Sequence, residues 1–175
     1  AQMFTETDAL GGLDVQLCYY RGFGEFRGTR WAGSSQELLR TMTGVRCLGG
    51  HTQISKVLRH AIRETQQKKV DALVFVGDCC EEDVDHLCHL AGRLGLLGVP
   101  GFMFHEGMDP VAQSAFKQIA KLTGGAYCRF DSASAQQLRD LLAAVAVFAA
   151  GGRRALEDYG ARKGGTVLQI TRQVR

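Results

Sequence analysis

The sequence predicts an α/β fold, a doubly wound and mostly parallel sheet with helices on both faces. Three observations carry this expectation. Short apolar runs alternate with stretches of helical period along the chain. One run, Asp71-Ala72-Leu73-Val74-Phe75-Val76-Gly77, is almost unbroken, as expected of a central parallel strand covered on both faces. Glycine pairs at 11–12, 124–125 and 151–152 punctuate the alternation.

Residues 1–10 read as the end of a helix leading into the Gly11-Gly12 turn. Leu13 to Tyr20 is a strand, and Glu25 to Trp31 a second one, close enough to form a hairpin through Arg21-Gly22-Phe23-Gly24. Ser34-Ser35-Gln36-Glu37 is a helix start, with Leu38, Leu39 and Met42 expected on the buried side. Ile54, Val57, Leu58, Ala61 and Ile62 fall at the spacing of one helical stripe. Lys56, Arg59, His60 and Arg63 lie largely elsewhere and read as a solvated face. A helix is expected over about Glu81 to Leu94, with Val84, Leu87, Cys88 and Ala91 buried. A strand at Val99 to Phe104, a helix at Val111 to Leu122 and a strand at Ala126 to Phe130 follow. Ser134 opens a last long helix that should stop at Gly151-Gly152; a helical turn at Ala155 to Tyr159 and a short strand at Thr166 to Thr171 are expected beyond it. Residues 1–150 are thus one α/β domain, and residues 151–175 an extension packing on it or trailing from it.

At 175 residues the chain can bury a real core without staples, and its 45% apolar and 22% charged residues suit a globular domain. A net charge of +3 does not call for nucleic acid or a membrane as partner. The six cysteines include the adjacent pair Cys79-Cys80, and others inside apolar runs such as Cys18 and Cys128. That is not a disulfide framework, so a reducing, cytoplasmic setting is expected. The longest apolar run, Leu141 to Ala150, is about half of what a membrane span needs.

In open α/β sheets ligands bind beyond the carboxyl ends of the strands. Three loops qualify. One is Leu48-Gly49-Gly50-His51-Thr52-Gln53, which sets Thr52 at a helix start. The strand ending at Gly77 delivers Asp78 ahead of Cys79 and Cys80, and the strand ending at Phe104 delivers His105 and Glu106. Taken singly, Thr52 and Asp78 read as helix caps. Together, a Gly-Gly-x-Thr opening a helix and an LVFVGD strand end resemble the von Willebrand factor A family, in a bacterial-type form. The resemblance covers roughly Leu13 to Phe148. It implies a Rossmann-like architecture with a metal ion-dependent adhesion site, where Thr52 and Asp78 hold Mg²⁺. Gly49, Gly50, His51, Cys79, His105 and Glu106 would surround that site. The family's metal takes a carboxylate from an Asp or Glu of a partner protein, without catalysis.

Two departures stand out. The family's Asp-x-Ser-x-Ser motif is absent, and no strand precedes Leu13 to carry it. In the family that first strand lies mid-sheet, between the strands placed here at 13–20 and 71–77. The chain is therefore expected to be a fragment of a product with roughly 30 further residues upstream, the length of a strand-helix unit. Cys79 also stands where the family usually has glycine.

The alternative is a thiol enzyme. Cys79 or Cys80 would be the nucleophile at a strand-to-helix turn, with His105 as base and Asp78 orienting it. The acids at 81–83 oppose this by raising the thiol pKa. CCEEDVDHLCH lacks the paired Cys-x₂-Cys spacing of structural zinc. Gly22-Phe23-Gly24 with Gly28 fails as a dinucleotide fingerprint, because no helix follows it. If exposed, Phe23 and Trp31 become candidates for partner contact.

Overall fold

The computed structural model describes residues 2–46, 48–131 and 134–175. The chain opens with α1 (Gln2–Thr7) and a 3₁₀ turn over Asp8–Leu10, closed by Gly11 at φ 104°. A hairpin follows, β1 (Val15–Arg21) antiparallel to β2 (Glu25–Ala32). The remaining elements are α2 (Ser35–Thr43), α3 (Ile54–Gln67), β3 (Leu73–Gly77), α4 (Val84–Leu96), β4 (Gly101–Glu106), α5 (Pro110–Thr123), β5 (Ala126–Phe130), α6 (Ala135–Lys163) and α7 (Gly165–Thr171). Among the described residues no helix is long and apolar enough to cross a membrane.

Strands β3, β4 and β5 form a parallel sheet in that order, separate from the β1–β2 hairpin. Strand β4 is central, with Gly101 to His105 all buried. Because successive side chains point to opposite faces, its residues serve two cores. Met103 packs with Phe75, Leu87, Leu94 and Phe116 on the side of α3, α4 and α5. Phe102 and Phe104 pack with Leu141, Val145, Leu156 and Ile170 on the side of α6 and α7. The parallel sheet is therefore flanked by helices on both faces. Its β5 edge is covered by a side chain: the Gln173 amide accepts from Tyr127 N–H and donates to Tyr127 C=O, both at 3.0 Å, in place of a neighbouring strand.

Helix α3 joins the two sheets. All five residues of its expected stripe are buried. Its start is tied to the end of β1 by Gln53 Nε2, which donates to the carbonyls of Arg21 and Gly22. Just past its end, Lys68 pairs with Asp14 ahead of β1 at 3.5 Å. Strands β1 and β3 therefore run in the same sense on either side of this crossover. Among the described residues each has one edge without a strand partner.

Several expectations are corrected. Strand β3 lies at an edge of its sheet rather than inside it, and Val76 is 44% exposed. Leu39 and Met42 face solvent, as α2 packs mainly on the hairpin and buries no residue fully. Cys88 is half-buried at the rim of the α4–α5 contact, its Sγ 3.5 Å from Gln118 Oε1, and is not core. Helix α4 starts at Val84, capped by Asp83, because residues 79–82 are held elsewhere. The last long helix breaks at Gly152 (φ 71°, ψ −168°) but resumes to Lys163. Residues 166–171 are helical, not a strand: Val167, Ile170 and Val174 recur at helical spacing and enter the second core.

Helices α4 and α5 cross closely at Gly95, where an added Cβ would stand 2.3 Å from the Leu122 carbonyl oxygen. Alanine is otherwise favoured over glycine inside a helix by about 1 kcal/mol. Gly95→Ala is nonetheless expected to destabilise the fold by about 1–3 kcal/mol through overpacking. Urea denaturation measures this, and a more stable variant would contradict the close crossing.

Candidate functional site

The N-terminus of α3 has no local cap. Gln53 precedes the helix and gives its side chain to the hairpin instead, leaving backbone N–H groups to be satisfied from elsewhere. The loop after β3 satisfies them. Glu82 accepts from the N–H of Ile54, and from that of Ser55 at 3.1 Å. Glu81 Oε2 accepts from Thr52 N–H at 3.0 Å, while Glu81 N–H donates to Thr52 Oγ1 at 3.0 Å. His51 Nδ1 lies 3.1 Å from the same Glu81 oxygen. Two carboxylates thus sit at the positive end of α3, which the helix dipole favours.

This latch brings the Thr52 loop and the Asp78 loop together at the carboxyl end of β3. Thr52 is buried and Asp78 exposed. Gly50 packs against the hairpin turn so tightly that a Cβ would fall 2.0 Å from Gly22 C=O, so no larger residue fits there. Gly49 is exposed, with nothing within 4 Å of an added Cβ. Phe23, at the hairpin tip, meets the His51 ring edge-on at 5.1 Å and is otherwise 85% exposed. Trp31 is exposed and donates its indole N–H to Glu64 at 3.1 Å.

His105 is fully buried on β4. Its Nδ1 lies 3.0 Å from Tyr127 Oη and its Nε2 3.3 Å from Asp78 C=O. Both ring nitrogens are engaged, so His105 supports the Asp78 loop from below instead of facing a thiol. Glu106 is not part of this group: it lines a separate cleft of about 530 Å³ with Met108, Arg129, Asp131 and Gln137.

The thiols of Cys79 and Cys80 are both raised from the ordinary value. Burial, followed by a hydrogen bond to Asp78 and the charges of Asp78, Glu81 and Asp109, pushes Cys79 up to about 11. Burial likewise raises Cys80. Tyr20, at the end of β1, is pushed up to about 12 by burial and by Cys79, Glu82 and Asp78, which places these groups in one neighbourhood.

As a cation site, the arrangement offers hard oxygen donors. Thr52 Oγ1 uses one lone pair on Glu81 N–H, and the Asp78 carboxylate is open to solvent. The neighbouring Gln53 Oε1 is buried with no hydrogen-bond partner among the described residues. This donor chemistry suits Mg²⁺, whose octahedral shell would be completed by water. Among the described residues no three His, Cys, Asp or Glu side chains converge as a ligand group.

Glu81, Glu82 and Gln53 are the contributors that sequence reasoning missed. The available signal was a helix start without Ser, Thr, Asp or Asn at its cap, together with a carboxylate run that had no assigned partner. In comparisons with known proteins, no family model matches the chain, and no curated protein matches it.

The Thr52 N–H and, secondarily, His51 hold the Glu81 carboxyl below its usual range. Its contribution to stability is therefore complete above the unfolded value of about 4.3 and is lost as pH falls through the lower folded value. Glu81→Gln should be less stable than wild type near neutrality, with the gap closing on acidification. Urea titrations across that range test this, and a gap independent of pH would refute it. Cys79 and Cys80 should alkylate with iodoacetamide near neutral pH no faster than free cysteine. Rapid labelling would restore the nucleophile reading.

Proposed function

We propose that this chain is a von Willebrand A-type binding domain whose carboxyl-end loops recognise an acidic side chain of a partner protein through Mg²⁺, without catalysis. The observation that carries this reading is the two-way hydrogen bond between Thr52 and Glu81, which fastens the Thr52 loop beside the loop of Asp78. Thr52 and Asp78 would hold the ion. Bound there, it supplies a Lewis-acid position for the carboxylate of a partner Asp or Glu. The Glu81 carboxylate is already spent on the Thr52 amide and that of Glu82 on the first α3 amides, so they orient the loop and do not compete as ligands.

Two further features favour a docking role. An exposed apolar side chain rims the loops, Phe23 beside His51. Such groups are enriched where proteins meet. The unpaired edges of β1 and β3 are also what a doubly wound sheet lacking one central strand would leave. The engaged ring of His105 and the raised thiols weigh against the nucleophile alternative.

Calorimetric titration of Mg²⁺ into the complete natural product, with Asp78→Ala as control, tests the reading. Saturable heat that disappears in the variant is expected, and no heat in either protein would overturn the metal site.

A further inference from the structure

At the opposite end of the sheet, where β5 begins, lies a cleft of about 640 Å³. Lys117 and Lys121 of α5, Arg153 of α6, and Arg172 and Arg175 around α7 line it, with no acidic side chain among its lining residues. The charge is concentrated. Setting these five aside leaves 16 basic residues against 18 acidic ones in the rest of the chain, so the remainder is net negative.

Among the described residues, no acidic side chain pairs with most of this cluster. Arg153 pairs with Glu157 at 2.8 Å, and Lys117 Nζ lies 5.4 Å from the centre of the Tyr127 ring. Among the described residues, Lys121, Arg172 and Arg175 take part in no ion pair. Lys121 gains something from the carboxyl end of α5, where a cation suits the helix dipole. The two arginines on the tail have no such local reason to converge.

The tail that carries them is held firmly. Arg175 N–H donates to Gly124 C=O at 3.0 Å, Val174 is buried, and the Gln173 amide pairs with Tyr127 on both sides. Arg172 and Arg175 are thereby set against α5 before any ligand arrives, which lowers the ordering cost of binding.

We propose that this cleft is an anion site for a small ligand bearing two or more phosphate groups. Guanidinium groups match phosphate oxygens with paired N–H donors, and lysine adds a point charge. The volume lies in the range of small-molecule pockets, about 300–1,000 Å³. Lys117 lies over one face of the Tyr127 ring, 5.4 Å from its centre. The site is remote from the Thr52 and Asp78 loops and independent of the reading given to them.

Inorganic tripolyphosphate, titrated calorimetrically into the whole chain at low salt, is the probe. One saturable site is expected, weakening as salt screens the charges. The exposed pair Lys121→Ala and Arg172→Ala together should lower affinity by about tenfold or more. Arg59→Ala on the α3 surface should leave it unchanged, and circular dichroism confirms that the variants fold. Absence of saturable heat, equal affinity in the double variant, or equal affinity for citrate would overturn the proposal. So would tighter binding, per phosphate, of a mixed-sequence single-stranded oligonucleotide.

Discussion

Helix α3 begins with unsatisfied amides, and the carboxylates that satisfy them come from the loop after β3. Most helices start on a neighbouring Ser, Thr, Asp or Asn; this one starts on Gln53, whose side chain is committed to the hairpin. Glu82 takes the first helical amides, and Glu81 exchanges hydrogen bonds with Thr52. Because α3 also packs on β1 and shares a core with Phe75 of β3, this one contact sets three pieces relative to one another. The Thr52 loop, the Asp78 loop and the hairpin tip at Gly22 and Phe23 meet there, and His105 supports them from the sheet.

The sheet itself is divided. Three parallel strands with helices on both faces form the larger part, and the hairpin stands apart, held through α3 instead of backbone pairing. Within β3, β4 and β5 the order never reverses, whereas a doubly wound sheet needs one reversal. Any reversal would fall between β3 and β1, where both strands keep an open edge. Val76, on the edge strand β3, is exposed.

The two ends of the parallel sheet differ in charge. The carboxyl end gathers Asp78, Glu81, Glu82 and Asp109, and the thiols among them are raised as negative neighbours and burial demand. The amino end of β5 gathers five cations in one cleft. A net charge of +3 conceals this separation, because it averages an acidic end against a basic one.

Much of the architecture was legible locally. The stripe from Ile54 to Ile62, the strand at 126–130 and the helix closed by Gly124 are features of short-range period and turn chemistry. The short run at 166–171 misled, since its β-branched residues suit a strand and only packing of Val167 and Ile170 on the second core makes it a helix. The positions of Thr52 and Asp78 at strand and helix ends were likewise readable, from glycines and an apolar strand. The sequence by itself therefore determined most of the helical and extended segments, the run at 166–171 excepted, and which loops gather at the carboxyl end. Tertiary structure alone decided that β3 is an edge, that His105 is a buried support and that Glu81 and Glu82 cap a distant helix. It also decided that Lys117, Lys121, Arg172 and Arg175 share one cleft. The reason is range: periodicity and capping are set within a few residues, whereas Ser55 and Glu82 are 27 positions apart and Tyr127 and Gln173 are 46. Such contacts exist only once the chain has packed.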